Sequence, residues 1–474
     1  MLLSGSGRLR ETILLLAAAL AAFGASLAGT FHLDDYALLI DPALSSAASW
    51  RECWRIEQTR PLTWFTFRLN LQLGGAAPAG WHAVSLVLHL AAVVLAYRCL
   101  VRLIPPRAAL LAALVFGVHP IQAEAVNYVF ARATLLMSVA CLASLLCWLA
   151  ERRWAAVALF AVALLAKEEC AAFPLVLLFL PNPRRGPIAA MLALSLAAGL
   201  RVAVVASMTP GSGAAMQAGI SPLEYAAAQG PVVLHYLRTV ALPFGFSIDP
   251  GIHGNAVVSW GVALAAVALA AWRRRTGYWF VAAFLLLLPS SSIFPAGDLA
   301  AYRRMYLPMF CLSALAGLGL ARINARAAIV LCVALAGLSV HRSLVWRTER
   351  DLWEEAVQAA PGKVRPRLQL ARAVEPERAL VLLEEASRLA PDDPRVAAER
   401  GRVYLESRRF AEALSEFGRA LALEPSNPRA WFNRGVALRA LGQVEAARQD
   451  FRRALELEPG FEEARRRLDL LTEK

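Results

Sequence analysis

The sequence predicts an all-α protein in two parts: a polytopic membrane bundle of about eleven helices, followed by an α-solenoid. Three observations predict it. Apolar residues make up 58% of the 474-residue chain against 18% charged, with a mean hydropathy of +0.50, which excludes disorder and most soluble classes. Apolar runs separated by short basic breaks fill residues 1–342. Residues 343–474 instead repeat small, aromatic and proline positions every 34 residues. The net charge of +13 is not a nucleic-acid signal. Of it, +12 lies in residues 1–342 and +1 in residues 343–474, and basic residues between apolar runs are what membrane topology demands. The seven Cys contain no CxxC pair, so neither a disulfide framework nor a zinc pattern is expected.

A membrane span needs about 20 apolar residues. The runs are 12–30, 82–103, 108–124, 133–150, 154–166, 169–181, 187–208, 257–272, 278–294, 304–321 and 326–341. The first also has the form of a signal peptide, with small residues at Ser26 and Ala28; spanning is the expected role. With the N-terminus in the cytoplasm, the short loops 102–107, 151–154, 181–187, 273–277 and 321–326 carry the cytoplasmic Arg. This holds only if 226–246, which contains His235, Arg238, Pro243 and Gly245, does not fully cross. It is therefore expected to be re-entrant or to lie at the outer surface. The acids then gather on the outer side, among them Asp34, Asp35, Glu57, Glu124, Glu168, Glu169 and Asp298. A working outer face is one cause of that asymmetry.

The first outer loop, about 31–81, opens with His32-Leu33-Asp34-Asp35. Adjacent carboxylates at a membrane boundary raise one pKa, so one can act as general base while the other supports it; a solvated helix start with Asp as N-cap is the other reading. Arg60 to Asn70 mixes aromatic and basic residues and suits an interfacial helix, aromatics down and Arg toward headgroups. His119, Glu124 and Arg132 follow at one outer hairpin, and Lys167 and Glu168 at another. Arg303 and Arg304 lie outside against the positive-inside trend. A phosphate partner explains them; so does a headgroup anchor. The outer His show no metal-ligand spacing, and no metal or cofactor is expected.

Periodicity organises the tail. Pro391, Pro425 and Pro459 are 34 apart, as are Gly401 and Gly435, Ala413 and Ala447, Phe417 and Phe451, and Ala420 and Ala454. With Tyr404 and Trp431 these positions match the tetratricopeptide pattern. Small residues let two helices cross closely, the aromatic fills the gap and the Pro ends the second helix. Clean repeats run over 392–425 and 426–459, after a shortened one, and 460–473 reads as a capping helix. Such a stack offers a concave surface to a peptide or protein partner. No buried polar constellation is expected there.

Together these segments resemble the transmembrane and tetratricopeptide-repeat-containing O-mannosyltransferases and their bacterial relatives, within the GT-C membrane glycosyltransferases. The stretches that carry the resemblance are FHLDDYALL (31–39), RPLTWFTFRLN (60–70), FGVHPIQAEAV (116–126) with ARATLL (131–136), AKEEC (166–170), LPSSSIFPAGDLAAYRRMYLP (288–308) and the repeat tail. The resemblance implies transfer of mannose or a similar sugar from a polyprenyl-phosphate donor to a hydroxyl acceptor, protein Ser/Thr, on the lumenal or periplasmic face. It places the base at Asp34, support at Asp35, and the outer Arg of the YLP motif at Arg303, with Arg304 and Lys167 as further phosphate contacts. Arg60, His119, Glu124, Arg132 and Glu168 are the other site candidates. Four positions depart from the family pattern: Tyr302 where an acid precedes that Arg, Gln122 where a His is usual, and Glu169 and Cys170 in the Lys-Glu-Gln-Gly stretch. Ala/Arg-rich composition points to a bacterial inner membrane, with the tail periplasmic.

A non-enzymatic membrane-anchored repeat scaffold is the competing reading. One span would serve it, so eleven runs fit it poorly. A lipid-linked-sugar flippase would require duplicated halves and polar residues at depth, and only Arg201 fits.

Overall fold

The computed structural model describes residues 5–41, 44, 50–55, 59–208, 220–292 and 295–472. Glu57, Ile293 and Phe294, and the side chains of Arg274 and Arg275, lie outside the described residues. The described residues contain helices and no strand. The chain divides into two compact units, Met1–Thr348 and Glu349–Lys474.

The first unit holds α1 (Gly5–Phe23), α2 (Asp35–Ile40), α3 (Pro61–Gly74), α4 (Pro78–Leu100), α5 (Pro106–Val118), α6 (Ala123–Asn127), α7 (Arg132–Leu149), α8 (Arg153–Ala166), α9 (Phe173–Leu177), α10 (Arg185–Met208), α11 (Pro222–Ala241), α12 (Ala256–Trp272), α13 (Arg274–Leu287), α14 (Tyr306–Leu320) and α15 (Ala325–Val345). Local chemistry sets many of the starts. Pro61, Pro78, Pro106 and Pro222 occupy first-turn positions, where a fixed φ and a missing N–H cost nothing. Ser221 and Glu224 close a reciprocal capping box on α11.

Among the described residues, five helices are long and apolar enough to cross a membrane: Gly7–Ala28, Pro78–Leu100, Val129–Leu149, Arg185–Met208 and Ala325–Val345. A sixth span results if Pro106–Val118 and Pro120–Asn127, bent by 45°, count as one. The sequence suggested about eleven. The difference is helix length. α8 has 14 residues and α12 has 17, and about 1.5 Å per residue leaves them short of a hydrocarbon core about 30 Å thick. The run 169–181 forms a 3-10 turn (Glu168–Ala172) and then α9, not one continuous helix. The ambiguous run 226–246 falls mostly in α11, 20 residues long with Pro231 inside it, and α11 is not among the five.

Contacts join loops of like expected sidedness. Arg107 donates to the Ile323 carbonyl at 2.9 Å, tying two of the Arg-rich hairpins. At the other end, Arg60 meets Glu168 and Arg303 meets Glu124. α3 departs from its expected pose, because Arg68 does not face outward. It is 2% exposed and stacks over Trp50 at 4.6 Å.

The bundle closes where small residues let helices touch. A Cβ on Gly317 of α14 would stand 2.3 Å from the Ala108 carbonyl oxygen and 2.6 Å from Ala112 Cβ on α5. Such close backbone approach drives helix association in membranes.

The second unit stacks α16 (Glu349–Ala359), α17 (Val364–Ala371), α18 (Pro376–Leu389), α19 (Pro394–Glu406), α20 (Phe410–Leu423), α21 (Pro428–Ala440), α22 (Val444–Leu457) and α23 (Glu462–Thr472). α19–α20 and α21–α22 are the two clean repeats, and α17 is the shortened helix before them. A Cβ on Gly401 would meet Phe417 at 2.8 Å, and one on Gly435 would meet Phe451 at 2.8 Å. Ala413, Ala420, Ala447 and Ala454 are buried beside those rings, and Trp431 donates to the Pro425 carbonyl at 2.8 Å. Arg409 covers the Tyr404 ring at 4.5 Å. The unit also holds buried polar pairs that the sequence reading did not expect. Glu399 takes both Arg372 and Arg402, and Asp450 takes Arg434 through two bonds.

Gly317→Val is expected to destabilise the first unit by about 1–3 kcal/mol, because the contact it meets is backbone. Thermal melting of the purified protein in detergent checks this, and an unchanged midpoint would contradict the α5–α14 crossing.

Candidate functional site

Three chain breaks build the site. α5 stops at His119, whose backbone is extended (φ −76°, ψ 130°). α8 stops at Lys167, also extended (φ −162°, ψ 133°). Before α14 the chain runs extended through Ala301 (φ −151°, ψ 120°) into a 3-10 turn, Tyr302–Met305. Buried backbone at such breaks must find partners inside the protein, and here side chains supply them. His119 Nδ1 accepts from the Ile121 amide at 3.1 Å, so Nε2 carries the proton and donates to the Val240 carbonyl at 3.1 Å. Glu124 Oε2 accepts from the Tyr302 amide at 2.7 Å.

The acid pair splits into two roles. Leu33 adopts a left-handed backbone (φ 49°), costing about 1 kcal/mol for a residue with a Cβ, and the two carboxylates that follow part company. Asp35 is fully buried and accepts from the Phe130 amide at 2.7 Å, the His32 amide at 3.1 Å and the Val129 amide at 3.4 Å. Burial pushes its pKa up to about 7 against those three amide donors, with the Asp34 charge adding to the rise. Asp34 is exposed. Its Oδ2 accepts from the Tyr128 hydroxyl at 2.8 Å, and its side chain makes no cap bond to α2. The loop is pinned by His32, whose Nε2 donates to the Trp346 carbonyl at 2.7 Å. Burial holds that imidazole at about 4 although the carbonyl favours its charged form, so it is neutral at pH 7.

Tyr128 bridges this carboxylate to the candidate anion-binding group. The Arg303 guanidinium lies over the Tyr128 ring at 5.8 Å. One edge of Arg303 meets buried Glu124 at 2.5 Å and the other meets Asp298 at 2.9 Å. Asp34, Glu124 and Arg303, drawn from three distant stretches, are therefore linked through one aromatic ring. Arg60 pairs with Glu168 through bonds of 2.7 and 3.2 Å, and Arg303 stands near enough to repel both Arg60 and Lys167.

The remaining candidates are turned inward. Arg304 donates to its own loop, to the Asp298 carbonyl at 2.6 Å and the Leu299 carbonyl at 3.0 Å. Lys167 is 4% exposed and holds Thr134 at 2.9 Å and Glu169 at 2.8 Å. Arg132 is buried under Phe67 and Trp81 and ties Asn70, Trp81 and Thr66 together, fastening α3 to α4 and α7. Of the family departures, Gln122 donates to the Phe116 carbonyl at 3.3 Å, and Glu169 serves Lys167. Tyr302 turns its hydroxyl to His235 at 2.8 Å, while Asp298, five residues before Arg303, brings it a carboxylate.

Sequence reasoning did not select Tyr128 or Asp298 for the site. Asp298 was visible as an outer acid within the 288–308 stretch. Nothing in the sequence marked Tyr128, whose role arises from the left-handed turn at Leu33. Among the described residues no group of three His, Cys, Asp or Glu is placed to hold a metal ion.

Residues 398–460 match the family described as Tetratricopeptide repeat. Over 159 residues the chain is 38% identical to Protein O-mannosyl-transferase TMTC1 of Homo sapiens, covering 30% of this chain and 18% of that protein. It is 38% identical over 120 residues to Protein O-mannosyl-transferase TMTC3 of Mus musculus, covering 23% and 13%. It is 41% identical over 95 residues to Tmtc1 of Drosophila melanogaster, covering 20% and 11%. The matched stretch thus spans less than a fifth of each of these relatives. Among solved structures, the first TPR of Spaghetti (RPAP3) bound to an HSP90 peptide is similar over 21% of this chain and 78% of that one, at 32% identity and a TM-score of 0.20. A crystal structure of MamA is similar over 26% and 70%, at 20% identity and a TM-score of 0.24.

The Asp35 carboxyl carries a pH prediction. A folded pKa near 7 against an ordinary 3.8 means that between those values the folded chain holds a proton the unfolded chain has lost. Its contribution to stability is present below about pH 4 and is lost as pH rises toward 7. Melting temperature is therefore expected to fall from pH 5 to pH 8 in the wild type, and Asp35→Asn should flatten that slope. Equal slopes would contradict the assignment.

Proposed function

We propose that the chain is a membrane glycosyltransferase that moves mannose or a similar sugar from a polyprenyl-phosphate donor to a hydroxyl acceptor, protein Ser/Thr, at the non-cytoplasmic face of a bacterial inner membrane. The observation that carries this reading is the Asp34–Tyr128–Arg303–Glu124 chain. It puts an accessible carboxylate one tyrosine ring away from a guanidinium. The similarity to O-mannosyl-transferases supports it from a separate direction.

Asp34 takes the proton from the acceptor hydroxyl, and the oxygen attacks the anomeric carbon. The carbon–oxygen bond to the donor phosphate breaks, and the electron pair stays on the leaving phosphate. The anomeric centre inverts. Arg303 faces the charge that develops on that phosphate, a kind of stabilisation commonly worth about 2.7–4 kcal/mol per donor group. Arg303 already carries two carboxylates, so the phosphate must displace one. Asp298, on the rim with 29% of its side chain exposed, is the one to yield, whereas Glu124 is 4% exposed and also latched to the Tyr302 amide. Tyr128 orients Asp34, and Asp35 fixes the loop that carries it. Arg304 and Lys167 act by shaping the two breaks. The bilayer holds the donor's lipid tail, and the repeats engage the acceptor or a partner protein. No metal enters this scheme.

Asp34→Asn is expected to lower transfer from a polyprenyl-phosphate sugar by at least about a hundredfold, the lower end of what a positioned base contributes, while insertion and melting temperature stay as in the wild type. Turnover close to wild type would remove Asp34 from the mechanism. If the isolated repeat unit reproduced every phenotype of the full chain, the scaffold reading would replace this one.

A further inference from the structure

α11, which the reaction scheme does not use, presents an unusual face. Tyr225, Gln229 and Tyr236 are four and seven residues apart, which puts them on one side of a helix, and all three are buried. Each aims a polar atom at the backbone of the segment leading to Arg303. The Tyr225 hydroxyl donates to the Ser290 carbonyl at 3.2 Å. Gln229 Nε2 donates to the Leu299 carbonyl at 3.0 Å. The Tyr236 hydroxyl accepts from the Ala301 amide at 2.7 Å and donates to the Ala301 carbonyl at 3.0 Å. His235, next to it, meets the Tyr302 hydroxyl at 2.8 Å. The segment so held has no helix between Leu287 and Tyr302 among its described residues, and unmatched backbone groups in a buried site are costly.

We propose that α11 is the positioning element for Arg303, with Tyr236 its principal residue. The proposal rests on the reading of Arg303 as the phosphate-binding group. Tyr236 grips both polar atoms of the residue two before Arg303, at the extended position from which the 3-10 turn springs. Glu124 then takes the next amide, Tyr302, and one edge of Arg303 itself. The guanidinium is thus held from two sides: by α11 through the backbone before it, and by α6 through its own nitrogens. Tyr236 touches no reacting atom. It acts through the placement of Arg303, and displacement of about 1 Å at such a group costs up to about a hundredfold. A helix whose only task was packing would present apolar side chains here. Tyr225, Gln229, His235 and Tyr236, with Glu224 and Arg238, are polar groups of a helix that is not among the candidate membrane-crossing helices.

The test uses the full chain in lipid nanodiscs, with polyprenyl phosphate as the binding probe and amide hydrogen exchange over residues 299–304 on the same samples. Tyr236→Phe keeps the ring and loses the hydroxyl. It is expected to weaken polyprenyl phosphate binding about tenfold and to speed exchange at Ala301 at least about tenfold. In an Arg303→Gln background the same change should weaken binding by less than twofold further, since the group it positions is gone. Tyr97→Phe, which removes the hydroxyl that meets Glu11 from another buried tyrosine, should leave both readouts within twofold. Unchanged exchange at Ala301 in Tyr236→Phe overturns the clamp whether or not the probe binds. Undiminished weakening in the Arg303→Gln background overturns action through Arg303. A wild type that exchanges slowly at Ala301 but binds no polyprenyl phosphate overturns the donor reading and, with it, the role given to Tyr236, while the exchange result stands apart from it.

Discussion

The first unit is governed by one constraint. Its helices break short inside an apolar bundle, and every amide and carbonyl freed by a break must be matched there. Asp35 answers for the 129–130 amides, Glu124 for Tyr302, His119 for Ile121 and Tyr236 for Ala301. Of these, Asp35, Glu124 and Tyr236 are tied to the segments that carry Asp34 and Arg303. The polar chemistry of the site is thus a by-product of satisfying backbone. The carboxylates that could react are those left over once that demand is met.

The division of labour between Asp34 and Asp35 follows from it. Two adjacent carboxylates look alike in a sequence. Burial and three amide donors make one of them a structural group, and the left-handed Leu33 turns the other toward Tyr128. The same logic separates Arg303 from Arg304. Arg304 spends its guanidinium on carbonyls of its own loop, while Arg303 reaches out to two acids.

The helical class and the repeats were legible from period, composition and residue type; the grouping of distant polar stretches came from the resemblance. Helix length was less legible. A hydropathy run does not announce where the helix will break: α8 follows the 154–166 run closely, whereas the 169–181 run splits into a 3-10 turn and α9. Direction was not legible at all. Nothing in the order Lys167-Glu168-Glu169 says that Lys167 turns inward to Thr134 while Glu168 turns to Arg60. Tyr128 and the polar face of α11 escaped notice for a related reason. Their partners are backbone atoms or a residue almost a hundred positions away, and a linear reading carries no trace of such pairings.

In the second unit the glycine that admits a ring and the ring that fills the space belong to the same 34-residue block: Gly401 with Phe417, Gly435 with Phe451. Each block carries its own lock and key. Tandem duplication of one block would add a module already fitted to itself, so an array of this kind can grow or shrink over evolutionary time without redesign of its interior.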